Sequence, residues 1–227
     1  MQRSELARLI DHTLLKPEAR AADVDAAARE ALDVGAAAAC VASSRVGRVA
    51  GRLAGSGVRA CTVIGFPSGA VPTVAKVAEV HAAAAAGADE FDVVLDIGLL
   101  RDGEREAVAR DLAAVRAAVP DGALLKVILE TAALDDEQIR LGCLLSRDAG
   151  ADFVKTSTGF HPSGGATTES VRLMRKTVPD LGVKASGGIR DLATALRMLD
   201  AGATRLGLSA TLAVLAELPE QDRTRAG

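Results

Sequence analysis

Eight short apolar runs, each followed by a longer stretch with apolar residues three and four apart, recur from one end of this chain to the other. The runs are LIDHTLL from Leu9, AAAACVA from Ala36, RACTVIG from Arg59, EFDVVLDI from Glu90, LLKVILE from Leu124, DFVKTST from Asp152, GVKASGG from Gly182 and RLGLS from Arg205. Their length and β-branched content predict strands. The stretches between them, such as EREAVARDLAAVRAAV from Glu104 and DLATALRMLDAG from Asp191, have helical spacing. Gly35, Gly87, Pro120, Gly150, Pro179 and Gly202 stand where helices should stop, and Asp191 where one should start.

Strands joined by crossover helices pair in parallel. Eight such units, with no Ser/Pro-rich linker between them, predict a single (β/α)8 TIM barrel over residues 1–227. An open doubly wound sheet is the alternative. The barrel places its reactive groups at the C-terminal ends of the strands, so polar residues there become candidates for chemistry.

Charge and composition narrow the partners. A net charge of −3 gives no broad basic surface for nucleic acid, and four Phe with no Trp or Tyr leave few rings for base stacking. No apolar run has membrane length, and charges interrupt the N-terminal segment, so a cytoplasmic protein is expected. Cys40, Cys61 and Cys143 lie in apolar segments and read as reduced, buried thiols.

Only six of the 27 basic residues are lysines, and Lys126, Lys155 and Lys184 all fall inside predicted strands. A solvated lysine is not expected there. Pairing with a carboxylate or snorkelling to the rim explains one such residue; three together suggest chemistry. An amine that can lose its proton attacks carbonyls, whereas a guanidinium cannot. Two ammonium groups about 4 Å apart repel by on the order of 4 kcal/mol at an effective dielectric of 20, enough to turn one into a nucleophile near neutrality. Imine chemistry also needs a proton shuttle. Asp92, embedded in EFDVVLDI, is the leading carboxylate, while Asp96 at the end of that run suits a capping role.

IDHTLLKP, VIGFPSG, EFDVV, KVILE, KTSTGF and KASGGIR, in that order, resemble the motif series of the deoxyribose-phosphate aldolase family over nearly the whole chain. The resemblance implies cleavage of a small phosphorylated sugar, 2-deoxy-D-ribose 5-phosphate, to D-glyceraldehyde 3-phosphate and acetaldehyde, without metal or cofactor. It implies Lys155 as the imine-forming amine, Lys184 as its tuning partner and Asp92 in the proton relay, with Asp11 and Lys126 in support. Phosphate is expected among Thr158, Gly159, Gly187, Gly188, Gly207 and Ser209, after the late strands where barrels often bind it. Gly159 and Gly207 also read as turn formers, and Ser209 as a helix cap.

The chain departs from the family pattern in three places, one being the lack of any tyrosine for the proton relay through a C-terminal Tyr that some relatives have. Leu208 and Ala210 stand where hydroxyls are usual, and VASSRV after Cys40 replaces an Asn-Pro or Tyr-Pro turn. His12, His81 and His161 lack metal-motif spacing, and the glycines match neither a dinucleotide fingerprint nor a P-loop. A lysine aldolase for another sugar phosphate, and a phosphosugar isomerase or phosphate-binding barrel, remain alternatives. Homo-oligomers are common among barrels, but no feature here marks an interface.

Overall fold

Every one of the eight runs becomes a strand in the computed structural model, which describes residues 1–219. The strands are β1 (Ile10–Leu14), β2 (Ala38–Ala42), β3 (Arg59–Ile64), β4 (Glu90–Val94), β5 (Leu124–Ile128), β6 (Phe153–Lys155), β7 (Gly182–Ser186) and β8 (Arg205–Leu208). Each pairs in parallel with the next, and β8 closes on β1. The fold is the predicted (β/α)8 barrel; residues 220–227 of the predicted 1–227 domain lie outside the described residues.

Helix α1 (Arg3–Ala7) precedes the first strand. Crossovers are made by α2 (Ala21–Val34), α3 (Val46–Leu53), α4 (Thr73–Ala85), the pair α5 (Ile97–Arg101) and α6 (Arg105–Ala118), α7 (Asp136–Asp148), α8 (Thr168–Thr177) and α9 (Leu192–Asp200). α10 (Thr211–Ala216) follows β8 and lies against α1. Helix ends follow the expected signals: Gly35 closes α2 in the left-handed conformation at φ 67°, and the Asp191 carboxylate accepts the Thr194 N–H at 2.7 Å to start α9.

The period-two alternation of strand side chains separates two interiors. Outward residues such as Phe91, Val93, Leu125, Val127, Val154 and Val183 share the main apolar core with helix residues including Leu112, Val115, Val171 and Met174. Inward, the barrel is divided. Ala38, Cys40, Cys61 and Val63, with Leu15 and Phe66 against them, fill the side formed by the early strands; charged side chains occupy the other. All three cysteines are buried free thiols, as expected.

Register brings those charges level. Asp92 pairs with Lys126, Lys155 with Lys184, and Lys184 with Arg205 across adjacent strands. A slip of one residue would turn them all outward into the apolar layer, so burial fixes the register.

Two strands stop earlier than their apolar runs. β4 ends at Val94, and Asp96 caps α5 by accepting the Leu99 N–H at 3.0 Å. β6 ends at Lys155 because Thr156 Oγ1 takes over the ladder, accepting the Ser186 N–H at 3.0 Å and donating to the Ser186 carbonyl at 3.1 Å. Gly207, expected in a turn, lies within β8 opposite Asp11 and Ser186.

Candidate active site

Asp92 is the hub of the charged interior. Its Oδ2 accepts from Lys155 Nζ at 2.8 Å and from Lys184 Nζ at 2.6 Å, and its Oδ1 accepts from Lys126 Nζ at 2.8 Å. Lys184 also donates to Asp11, whose other oxygen takes the Arg205 guanidinium at 2.6 Å. Lys126 reaches Glu90 at 2.6 Å, and Cys61 Sγ lies 3.3 Å from Asp92 Oδ1. The five expected residues, Lys155, Lys184, Asp92, Asp11 and Lys126, thus form one buried network. Glu90, Arg205 and Cys61 complete it; strand parity, two residues from Asp92 or from Gly207, was the signal that could have revealed the first two.

Three carboxylates face four cations here, and burying charge is tolerable only when it is paired. Burial alone would raise the Asp92 pKa, but Lys126, Lys155 and Lys184 hold the carboxyl well below its ordinary 3.8. Asp11 is pushed down in the same way, against burial, by Lys184, Lys126 and Arg205. For Lys126 and Lys184 burial works downwards, and the carboxylates outweigh it to hold both ammonium groups above the ordinary 10.5. Burial raises the Cys61 thiol, which therefore stays protonated and adds no charge. Among the described residues Lys155 is paired with Asp92 alone, whereas Lys126, Lys184 and Arg205 each reach at least two carboxylates.

The direction of these shifts predicts a pH window. Carboxylates held below 3.8 contribute stability that is full above that pH and lost as pH falls towards their native pKa values. Lysines held above 10.5 contribute stability that is full below that pH and lost as pH rises through their native values. Thermal melts of the wild type and Lys184→Met should therefore differ by a constant margin between those limits, the wild type being the more stable. A margin that opens or closes near pH 7 would contradict the assignment.

Above the network lies a cavity of about 240 Å³ at the C-terminal strand ends. Lys155 lines it; Asp92, Asp11, Lys126 and Lys184 lie beneath. All six expected phosphate-site residues, Thr158, Gly159, Gly187, Gly188, Gly207 and Ser209, line it too. Gly187 and Gly188 have φ of 86° and 83°, a conformation that leaves the backbone bare towards the cavity. Ser209 does not cap α10, which has no side-chain cap. Lys16 and Arg190 also line the cavity, with exposed side chains that form no ion pair among the described residues. Both were missed as site residues, although each lies within a quoted motif, Lys16 in IDHTLLKP and Arg190 in KASGGIR.

Gly207 serves close packing. A Cβ there would stand 3.0 Å from Ser186 Cβ and 3.1 Å from Lys184 Cε. Gly207→Ala should therefore displace Lys184, lower stability by about 1–3 kcal/mol and reduce turnover. A melt and kcat/KM equal to the wild type would show that the neighbours yield freely.

The altered segment after Cys40 forms a short turn over Ser43–Arg45, anchored by Ser43 Oγ donating to Glu79 Oε1 at 2.6 Å. Glu79 also accepts the Gly65 N–H at 2.8 Å, so α4 ties the β2 and β3 loops together. His12 points out of the barrel, linked to Thr211 at 2.9 Å and Glu30 at 3.0 Å, while His81 is exposed on α4. Cys40, Cys61 and Asp92, and likewise Asp11, Cys61 and Glu90, lie close enough to share an ion. Each set uses a carboxylate already engaged by lysines, which a cation would have to displace.

At the mouth, Phe160 from the β6 loop meets Phe66 from the β3 loop edge to face, with ring centroids 5.2 Å apart. Among the described residues no helix is long and apolar enough to cross a membrane.

Comparison with known proteins agrees with this fold. The chain is 55% identical over 214 residues to the deoxyribose-phosphate aldolase of Kocuria rhizophila, covering 94% of this chain and 96% of that protein. It is 57% identical over 215 residues to the deoxyribose-phosphate aldolase of Rhodospirillum rubrum, covering 94% and 90% respectively. The tetrameric deoxyribose phosphate aldolase of Aeropyrum pernix superposes with a TM-score of 0.89 at 39% identity, covering 95% of this chain and 92% of that one. The model of the DeoC/LacD family aldolases matches residues 6–217, and the chain belongs to that family.

Proposed function

We propose that this protein is an aldolase that reversibly cleaves 2-deoxy-D-ribose 5-phosphate to D-glyceraldehyde 3-phosphate and acetaldehyde through a Schiff base on Lys155. One observation carries the reading: the amine that lines the cavity rests on a carboxylate shared with two further buried lysines. That arrangement supplies a nucleophile and a proton relay in one place. The names of the relatives support the substrate.

In the cleavage direction the Lys155 amine adds to the C1 aldehyde of the open-chain sugar, and loss of water from the carbinolamine gives an iminium. The C3 hydroxyl then gives up its proton, the C2–C3 bond breaks, and its electron pair moves to the iminium to leave an enamine. Glyceraldehyde 3-phosphate departs with the new carbonyl. Protonation of the enamine carbon and addition of water release acetaldehyde and restore the amine. Asp92 and Lys184, in contact with each other and with Lys155 through Asp92 Oδ2, carry the protons. Since the iminium is itself the electron sink, these steps call on no metal or organic cofactor.

The phosphate is read as resting on the N–H groups around Gly187 and Gly188 and on Ser209, with Gly207, Thr158 and Gly159 shaping the walls and Lys16 and Arg190 supplying charge. The two cations offset the hydroxyls lost at Leu208 and Ala210. The whole chain is read as one aldolase domain, on the support of a family match over 6–217. A cytoplasmic location suits its three free thiols, and the tetrameric Aeropyrum pernix aldolase supports a homo-oligomer.

Coupled detection of acetaldehyde tests the activity. Release from 2-deoxyribose 5-phosphate, and much less from 2-deoxyribose, is the expected outcome. If only a sugar-acid phosphate were cleaved, the substrate assignment would pass to another lysine aldolase.

A further inference from the structure

Glu130 stands immediately after the apolar run that ends β5, and among the described residues it alone has a positive φ without being glycine, at φ 58° and ψ 58°. A side chain with a Cβ stays in that conformation only where its surroundings hold it there. What holds Glu130 is the loop that follows the imine lysine. Its carboxylate is 1% exposed and accepts the Thr158 N–H, at 3.2 Å to the nearer oxygen, together with the Thr158 hydroxyl. No cation is paired with it among the described residues, so its hydrogen bonds to Thr158 are what compensate the burial of the carboxyl group.

The residues on either side grip the same loop. Leu129 N–H donates to the Lys155 carbonyl at 2.9 Å and Thr131 N–H to the Thr156 carbonyl at 2.8 Å. Residues 129, 130 and 131 therefore clamp 155, 158 and 156 respectively, and the Glu130 side chain makes the hold farthest along the loop. Its grip extends further. The Thr158 hydroxyl, its proton given to Glu130, accepts the Phe160 N–H at 3.1 Å and so fixes the turn at Gly159, where φ is 84°. A Cβ on Gly159 would lie 3.7 Å from Gly187 Cα, so that turn packs against the loop expected to bind phosphate.

We propose that Glu130 is a positioning residue that sets the span between the Lys155 amine and the phosphate-binding backbone, without itself touching the substrate. This rests on the reading of Lys155 and the phosphate site given above. It also changes the part expected of Thr158: the hydroxyl proton is committed to Glu130, so Thr158 shapes the phosphate wall and does not donate its hydroxyl to the ligand.

The test is the selectivity for a phosphorylated over an unphosphorylated substrate. Glu130→Leu removes the carboxylate oxygen that accepts both the Thr158 N–H and the Thr158 hydroxyl, and Thr158→Val removes the hydroxyl from the other end of the same bond. In each variant the ratio of kcat/KM for 2-deoxyribose 5-phosphate to that for 2-deoxyribose should fall about tenfold or more. Borohydride should still trap acetaldehyde on Lys155, and the double variant should be no worse than the poorer single one, because both remove one interaction. Should Glu130→Leu fail to fold, Thr158→Val reads the same ratio. Equal losses on both substrates, with trapping intact, would overturn the proposal alone and leave Glu130 a structural residue. A wild type that forms no adduct would overturn the Lys155 reading, and this proposal with it.

Discussion

Lys155→Arg should abolish aldol cleavage while the barrel melts close to the wild-type temperature. Arginine keeps the positive charge and can still donate to Asp92 Oδ2, which accepts from Lys155 at 2.8 Å. It cannot lose its proton near neutrality and so cannot attack a carbonyl. The expected fall in kcat/KM is roughly 10⁴-fold or more, the scale on which removal of a covalent nucleophile acts. Lys155→Ala should behave the same way with a larger effect on stability, because Asp92 then loses one of its three ammonium partners. The result separates two classes of protein. An isomerase or binding barrel using Lys155 as a point charge would tolerate arginine, and an arginine variant with a tenth of wild-type activity would place this chain among them.

The second large effect should come from Asp92→Asn. Asparagine fits the space, but its amide group would point donors at ammonium groups that are themselves donors. The buried interior would also hold four cations against two carboxylates, Asp11 and Glu90. Breaking a buried ion network at one partner costs about 3–5 kcal/mol, which for a chain of this size lowers the melting temperature by roughly 10 °C. Turnover should fall separately, by about 10²–10⁴, through loss of the relay carboxylate. Kinetics well below the melting temperature of the variant distinguish the two effects. A variant that melted like the wild type would show that Asp92 does not hold the lysines as its contacts indicate.

The barrel was legible because it is written in periodicity. Alternating strand and helix spacing states the topology without reference to any side-chain chemistry, and the eight runs correspond one for one to the eight strands. Strand ends were less legible where hydroxyl or carboxyl groups replace the backbone ladder, as at Thr156 and Asp96. The buried charged network showed itself through lysines and an aspartate in strands, where such residues are costly. Glu90 and Arg205 sit at strand starts, where charge is ordinary, and only the closed geometry reveals that they face inward. Glu130 has a weaker signature still. Its left-handed backbone arises from contacts with a loop nearly thirty residues away, and nothing local in KVILE states it. The phosphate residues came from the family resemblance; spacing alone leaves Gly207 a turn former, whereas the packed structure puts it against Lys184.

Trapping with borohydride in the presence of 2-deoxyribose 5-phosphate, followed by peptide mass spectrometry, addresses the central claim most directly. Reduction converts an imine into a stable secondary amine, and the adduct should map to the peptide carrying Lys155 and to no other lysine. An adduct on Lys126 or Lys184, or none from a folded sample, would contradict the account.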